Sequence, residues 1–266
     1  MAEEAHSAAS AYRAHAAAFQ DKSVVYAYRY RPIYPSATFD LLVQLMGTRP
    51  GAVLDVGCGS GDIARQLVPR VERVDAVDFS SQMLERGRQL PNGDHPALRW
   101  LYGRIEEVQL QPPYALVTAG ESMHWLDWHI VMPLLHDVLQ DGAYLAMVGR
   151  QITPDIWSLL GDVVPRYRAD FYLPQSQERQ EQGLFQQVGE STTEAYAFVQ
   201  SLADVVESYH SRAGFSRERM GPLKAAAFDR EAEQALLAAY PDGVVPFQVR
   251  AQITWGVPQK KTPDVL

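Results

Sequence analysis

The stretch that decides the fold reads Val53-Leu-Asp-Val-Gly-Cys-Gly-Ser-Gly61. Of its first four residues, all but Asp55 are apolar, and two are β-branched, which predicts a short buried strand. The alternate glycines Gly57, Gly59 and Gly61 predict a turn in which no Cβ keeps a ligand away from the backbone. Residues 63–68 then carry apolar side chains at the spacing of one helical face. Strand, glycine loop and helix together predict a ligand site at a helix N-terminus of an α/β fold.

Strands and helices are expected to alternate through the first 150 residues. Apolar runs predict strands at 53–56, 74–79, 98–102, 115–119 and 143–148. Helical spacing is found at 39–46, from about Met83, and at about 130–139, where Pro133 implies a late start or a kink. Pro32 and Pro35 predict an extended stretch over 26–35. This alternation predicts a Rossmann-like, doubly wound sheet that is mostly parallel and covered on both faces.

The alternation ends near residue 151. Helical patches follow at 156–167, at 195–209 after a capping box at Ser191–Glu194, and at 230–239. The alternating residues 247–257 predict a last strand, antiparallel at the edge of the sheet. We therefore expect four segments: an N-terminal helical segment (1–50) that closes over the ligand, a ligand-binding core (51–150), a helical cap (151–215), and a C-terminal helix and strand (216–266).

The composition limits the partners of the chain. A formal net charge of −8 argues against a broad nucleic-acid surface. The only cysteine, Cys58, excludes an intrachain disulfide and a cysteine metal cluster, and we expect it to be a small buried residue. No signal peptide and no membrane-spanning run is recognised, so we expect a cytoplasmic protein, a monomer or homodimer, with a small-molecule substrate and no bound metal.

Two acids narrow the choice of ligand. A dinucleotide loop has Gly-x-Gly-x-x-Gly, but here the third glycine comes one residue early and Asp62 takes the expected place. Asp55 precedes the loop, where a carboxylate would repel a pyrophosphate and suit an ammonium or sulfonium group. Asp78 ends the second strand, where open α/β folds place an acid that binds a ribose diol. The pattern indicates a nucleoside that carries an amino-acid tail.

These segments resemble the class I S-adenosylmethionine-dependent methyltransferases. The stretches 53–61 and 74–84 match the cofactor-binding region of that family. Residues 28–35 and 122–127 are similar to segments of a small-molecule subgroup, the relatives of trans-aconitate methyltransferase. The resemblance covers roughly residues 20–150 and implies S-adenosylmethionine as the cofactor.

The resemblance also implies roles for individual residues. The loop glycines would lie against the methionine part of the cofactor with Asp55 near its ammonium, Asp78 would hold the ribose, and Ala119 would offer its carbonyl to the ammonium. The family often has an acid where Arg104 stands, and because arginine cannot accept a hydrogen bond, the backbone at Ile105 is the alternative contact for adenine. The other residues that the resemblance places at the cofactor are Tyr28, Arg31, Phe79 and Met83.

Methyl transfer needs alignment of acceptor and methyl group more than it needs a base. His124 and Glu121, which follow the fourth strand, are the candidate catalytic residues, although His124 beside Trp125 could equally be structural. The Asn/Asp-Pro-Pro-Tyr/Phe motif of many DNA, glutamine and some RNA amino-group methyltransferases does not follow this strand. Aromatic residues between 157 and 215 could enclose an apolar or aromatic metabolite, or could form the core of the cap.

Alternatives remain open on the sequence alone. The leading hypothesis is a methyltransferase that acts on a small molecule in metabolite or natural-product biosynthesis. The chain could instead be a fold relative that binds S-adenosylmethionine without methylating, an NAD(P)-dependent oxidoreductase, or a methyltransferase of protein side chains. The acceptor atom, oxygen, nitrogen or carbon, is not determined by these patterns.

Overall fold

The computed structural model of the chain describes residues 17–48, 51–168 and 183–260. The chain divides into two compact units. The first unit comprises Met1–Ile33, Gln151–Leu173 and Ala195–Arg250, and the second comprises Tyr34–Arg150, Pro174–Glu194 and Ala251–Leu266. The second unit contains the glycine loop, and it is described first.

Helices and strands alternate in the second unit as the sequence predicts. In chain order they are α2 (Ser36–Met46), β1 (Ala52–Val56), α3 (Ala64–Leu67), β2 (Arg73–Asp78), α4 (Ser81–Arg88), β3 (Leu98–Tyr102), β4 (Tyr114–Gly120), α5 (Trp128–Val138), β5 (Leu139–Thr153), β6 (Phe185–Thr192) and the end of β8 (Val244–Pro258).

The sheet has the strand order β3-β2-β1-β4-β5-β8-β6. Strands β1 to β5 pair in parallel, and β6 pairs antiparallel with β8. Successive side chains of a strand point to opposite faces of the sheet, and each face is covered by helices. Val53 of β1 packs into one apolar cluster with α2 and α3, and Leu54 packs into a second cluster with α5. The predicted Rossmann-like, mostly parallel sheet with an antiparallel C-terminal strand is confirmed.

The first unit contains the remaining elements. They are α1 (Lys22–Ala27), α6 (Ile156–Leu159), α7 (Val164–Tyr167), β7 (Tyr196–Ser201), α8 (Leu202–Tyr209), α9 (Arg217–Met220), α10 (Pro222–Ala239) and the start of β8, with which β7 pairs antiparallel. A separate apolar cluster holds this unit together, and its largest fully buried rings are Tyr209, Phe215, Phe228 and Phe247.

The predicted helical cap over 151–215 is wrong for residues 185–201. Residues 185–192 form β6 and residues 196–201 form β7, and the expected capping box at Ser191–Glu194 spans the end of β6 and the two residues after it. Residues 196–201 pair with 244–249 of β8, so long-range pairing overrides their local helical spacing. The helix begins only at Leu202, where the Ser201 hydroxyl caps it by accepting from the N–H of Asp204 at 3.1 Å.

The predicted extended stretch over 26–35 is also only partly right. Lys22–Ala27 is α-helical and Tyr28–Tyr30 forms a turn of 3₁₀-helix, so the chain is extended only from Arg31 to Pro35. A proline restricts the residue immediately before it, and it does not prevent a helix from ending two residues earlier.

Other helix boundaries move by a few residues. Helix α5 begins at Trp128, capped by Asp127, and continues through Pro133 rather than starting late. Helix α10 begins at Pro222 rather than at residue 230, because proline suits the first position of a helix. The boundary between the two compact units also divides the predicted N-terminal segment 1–50 at Tyr34. In the part of the chain that is described, no helix is long and apolar enough to cross a bilayer.

Candidate functional site

The glycine loop joins β1 to α3 through three residues in the left-handed region. Gly57, Gly59 and Gly61 have φ of 63°, 56° and 79°, values that residues with a Cβ rarely adopt. The N–H of Gly61 donates to the carbonyl of Cys58 at 2.8 Å, and the N–H of Cys58 donates to Val77 at 3.0 Å. The loop is therefore tied to the end of β2, and Cys58 is buried within it.

Only one of these glycines faces open space. A Cβ on Gly57 would lie 2.6 Å from the Ser122 Cβ, and one on Gly61 would lie 2.5 Å from the Trp100 ring. A Cβ on Gly59 would meet no atom within 4 Å. Close packing against Ser122 and Trp100 explains why Gly57 and Gly61 carry no side chain. At Gly59 the bare backbone is open to a ligand.

Asp78 holds this open glycine in place. Its Oδ2 atom accepts from the N–H of Gly59 at 2.8 Å, and its Oδ1 atom accepts from the N–H of Ser80 at 2.8 Å. Burial raises the pKa of Asp78 above its usual value. Each carboxylate oxygen has a second lone-pair direction, so the side chain can accept further hydrogen bonds from a diol.

Asp55 turns into the protein rather than toward the loop surface. It is 1% exposed, and its oxygens accept from the N–H of Ala64 at 3.2 Å and from the Thr118 hydroxyl at 2.8 Å. Burial raises the pKa of Asp55 to about 7. The expectation that Asp55 faces a pyrophosphate and repels it is not supported. Its carboxylate instead accepts hydrogen bonds from Ala64, at the start of α3, and from Thr118 in β4.

Glu121 is paired with Arg150. Its carboxylate accepts from Arg150 Nη1 at 2.5 Å and from the Arg150 backbone N–H at 3.3 Å. These contacts hold the Glu121 carboxylate against Arg150, and its predicted catalytic role stays a prediction. Ala119, two residues earlier, is a buried residue at the end of β4, as expected.

His124 lies on the loop after β4, in a short 3₁₀ turn from Met123 to Trp125. Its ring packs on Trp125 with the ring centroids 4.8 Å apart. Hydrogen bonds fix this loop on both sides: the Ser122 hydroxyl donates to the Val56 carbonyl at 2.6 Å, and Trp128 Nε1 donates to the Met123 carbonyl at 3.0 Å. His124 is half-buried, so a structural role and a catalytic one both remain compatible with its place.

Phe79, which the resemblance places beside the adenine, follows β2, and the segment with Arg104 and Ile105 follows β3, while Met83 lies in α4. Phe79 is half-buried and available for contact. Met83 and Ile105 are only 1% and 3% exposed, so they supply packing rather than open surface. Arg104 is partly exposed and lies 3.9 Å from the Glu106 carboxylate. The N–H of Gly103 donates to the Asp78 carbonyl at 3.1 Å, which places this segment beside the ribose acid.

Tyr28 and Arg31 belong to the first unit. The guanidinium of Arg31 lies over the Tyr28 ring at 4.1 Å, and it donates to the hydroxyl of Ser211 at 2.8 Å and to its carbonyl at 2.7 Å. These contacts show how the pair is ordered within its unit. The cofactor role that the resemblance assigns to the pair stays a prediction.

The aromatic residues of the predicted cap mainly pack on one another in the first unit. Tyr167 and Phe215 are buried in its apolar cluster, while Trp157 is 39% exposed and packs on Phe215 with the centroids 6.2 Å apart. The two rings at positions 171 and 172 lie outside the described residues. Most of these rings therefore form a core, and they do not argue for an apolar acceptor.

Sequence reasoning missed three residues that shape the site: Ser122, Thr118 and Arg150. Their partners lie 66, 63 and up to 88 residues away along the chain, so no local pattern marks them. Among the described residues, no group of three or more His, Cys, Asp or Glu is arranged to hold a metal ion.

Comparison with known proteins gives a family for the glycine-loop region. Residues 53–142 match the model of a methyltransferase domain. Malonyl-[acyl-carrier protein] O-methyltransferase of Halalkalibacterium halodurans is 33% identical over 99 residues, which are 32% of this chain and 36% of that protein. Trans-aconitate 2-methyltransferase of an Azoarcus species is 32% identical over 114 residues, 42% of this chain and 44% of that protein. The chain thus spans less than half the length of either relative.

A similar fold is found over most of the chain. A solved structure from Anaeromyxobacter dehalogenans, described as a candidate type II methyltransferase, superposes with a TM-score of 0.63. It covers 86% of this chain and 99% of its own, at 23% sequence identity. At that identity the likeness establishes the fold alone.

Proposed function

We propose that this chain, whose residues 53–142 match a methyltransferase domain, is a class I S-adenosylmethionine-dependent methyltransferase that transfers the methyl group of this cofactor to a small molecule in metabolite or natural-product biosynthesis. The observation that carries the proposal is the open backbone of Gly59 beside the buried carboxylate of Asp78. A net charge of −8 supports an acceptor other than a nucleic acid.

The described residues fit the cofactor. Gly59 leaves room for a ligand against bare backbone, and Asp78 keeps acceptor capacity for the two hydroxyls of a ribose. The half-buried Phe79 offers a ring to the adenine, and Ala119, next to the last residue of β4, offers its carbonyl to the ammonium group. When bound, S-adenosylmethionine supplies a methyl group on a cationic sulfur, which is a good leaving group.

The chain contributes alignment and the exclusion of water. Loop residues held by hydrogen bonds on both sides, as around His124, cost little further entropy when an acceptor is positioned against them. Asp55 braces the glycine loop from inside the sheet, so the loop keeps one geometry. We propose that Asp55 acts through this support rather than through direct contact with the ammonium group.

His124 assists only acceptors that must lose a proton. A hydroxyl or ammonium acceptor needs a base, whereas a carboxylate is already ionised at neutral pH. The two named relatives are both methyltransferases of acids, malonyl-[acyl-carrier protein] and trans-aconitate. We therefore include carboxylic acids among the acceptor classes, beside hydroxylated and amino compounds.

The test is the appearance of S-adenosylhomocysteine. The purified protein is incubated with methyl-labelled S-adenosylmethionine and acceptor panels of the three classes, and the label and S-adenosylhomocysteine are followed by mass spectrometry. We expect methylated product from one class, and its loss in Asp78→Ala. Tight binding of S-adenosylmethionine without turnover on any acceptor would favour the non-methylating fold relative, and NADH binding would favour the oxidoreductase.

Variants of His124 separate the two acceptor chemistries. With a hydroxyl acceptor, His124→Gln should lower kcat by about 10²–10⁴-fold and flatten the acidic limb of the pH–rate profile. With a carboxylate acceptor, the same variant should leave kcat and its pH dependence nearly unchanged. Equal losses on both classes would assign His124 to the structure of the loop.

A further inference from the structure

Arg150 is a buried cation with partners in three separate segments of the second unit. Its side chain is 5% exposed. Nη1 donates to Glu121 at 2.5 Å, Nη2 donates to Asp62 at 2.7 Å, and the guanidinium lies over the Tyr34 ring at 3.8 Å.

Each partner of Arg150 belongs to a segment that borders the candidate cofactor site. Asp62 directly follows Gly61 and so ends the glycine loop. Glu121 comes two residues after Ala119 and begins the loop that carries His124. The Tyr34 hydroxyl would lie 3.1 Å from a Cβ placed on Gly120, at the end of β4. One side chain thus connects the two loops at the end expected to bind the amino-acid part of the cofactor.

Glu121 also has an unusual backbone. Its φ of 52° lies in the left-handed region, which costs a residue with a Cβ about 1–2 kcal/mol. Glycine would adopt this conformation without that cost, but glycine could not offer a carboxylate to Arg150. The contacts of Glu121 with the side chain and the backbone N–H of Arg150 hold it in this conformation.

We infer that Arg150 is a positioning residue for the amino-acid end of the cofactor, acting through Asp62 and Glu121; the inference rests on the proposed function. Lysine cannot replace it fully. A planar guanidinium donates to two carboxylates and stacks on a ring at the same time, whereas an ammonium is a single point charge. Without the cation, two neighbouring carboxylates would repel each other, and the two loops would separate.

The inference predicts a loss that depends on which part of the ligand is present. S-adenosylhomocysteine carries the amino-acid end, and 5′-methylthioadenosine lacks it while keeping the ribose and adenine. Both ligands are titrated calorimetrically into wild type, Arg150→Met and Arg150→Lys. Arg70→Met is the matched control, because Arg70 pairs with Asp40 at 2.6 Å in the same unit but on its exposed surface.

We expect Arg150→Met to weaken S-adenosylhomocysteine binding by at least about tenfold and 5′-methylthioadenosine binding by less than about threefold, as loss of charge-assisted hydrogen bonds predicts. Arg150→Lys should recover part of the loss, and Arg70→Met should bind both ligands as wild type does. Equal weakening of both ligands, or no weakening, overturns the inference. If wild type binds neither ligand, the proposed function itself fails.

Isosteric variants cover the case in which Arg150→Met does not fold. Glu121→Gln and Asp62→Asn keep the size of each side chain and remove one charged contact of Arg150 each. Each should weaken S-adenosylhomocysteine more than 5′-methylthioadenosine. If neither variant discriminates between the two ligands, the positioning role is excluded.

Discussion

Asp78 Oδ2 accepts a hydrogen bond from the N–H of Gly59 at 2.8 Å, so the acid at the end of β2 holds the only open position of the glycine loop. The two residues are 19 positions apart along the chain, and the pairing of β1 with β2 brings them together. Asp78 and the backbone of Gly59 are therefore structurally coupled, and a change in either residue should affect the position of the other.

Replacing Asp78 by Asn should impair both stability and binding. The carboxylate accepts from the N–H groups of Gly59 and Ser80, but an amide has one acceptor and would turn its NH₂ group toward one of these donors. We expect a loss of about 1–3 kcal/mol in the free energy of unfolding, measured by urea denaturation. S-adenosylhomocysteine affinity should fall by more than about tenfold in calorimetry. Asp94→Asn, at an exposed acid in the same unit, is the control and should change neither quantity.

Asp55 should make stability fall as pH rises. Its pKa is raised to about 7 in the folded protein, so between its unfolded pKa, near 4, and 7 the folded state binds more protons than the unfolded state. The stabilisation from the protonated form is complete below about pH 4 and is lost as pH approaches 7, by up to about 4 kcal/mol. Asp55→Asn can still bond to Ala64 and Thr118, so its free energy of unfolding should lack this slope.

The measurement for Asp55 is urea denaturation of both proteins at several pH values from 5 to 8. Parallel pH dependences of wild type and Asp55→Asn would show that this carboxyl is ionised throughout and does not govern the slope.

Alanine at the loop glycines should separate folding from binding. In Gly61→Ala the new Cβ would lie 2.5 Å from the Trp100 ring at a φ of 79°, so we expect a loss of about 2–4 kcal/mol in thermal or urea unfolding. In Gly59→Ala the Cβ meets no atom, so only the backbone conformation costs about 1–2 kcal/mol. Gly59→Ala should nevertheless lose S-adenosylhomocysteine binding, because its methyl group occupies the open space. Unchanged affinity in this variant would place the ligand elsewhere.

His210 should matter for stability and not for chemistry. Its ring is fully buried in the first unit, with Nδ1 2.6 Å from the Phe215 carbonyl and Nε2 2.8 Å from Asp229. Although burial acts in the opposite direction, hydrogen bonds from His210 and Arg217 hold the pKa of Asp229 below its usual value. His210→Leu removes the ring from the Phe215 carbonyl and from the half-buried Asp229 carboxylate, and it should cost about 2–4 kcal/mol in urea denaturation. S-adenosylhomocysteine affinity, measured where the variant is folded, should stay that of wild type.

How far the sequence predicts this protein depends on whether the cause of a feature is local. Val53 and Leu54 are both apolar, and a strand that sends alternate side chains to two covered faces needs this pattern, so β1 and the parallel sheet could be predicted. Strands β6 and β7 could not be predicted, because they form only through pairing with β8, and residues 196–201 in particular pair with 244–249. A helical spacing read from those residues alone was therefore misleading.

The candidate site divides in the same way. The left-handed turns at Gly57, Gly59 and Gly61 and the acid at the end of β2 are properties of short segments, and the sequence by itself determined them together with the cofactor family. Only the tertiary structure decided what each residue does. Asp55 is buried against Thr118, and Glu121 is paired with Arg150. Burial and charge pairing depend on partners that are distant in the chain, so only the tertiary structure could decide them.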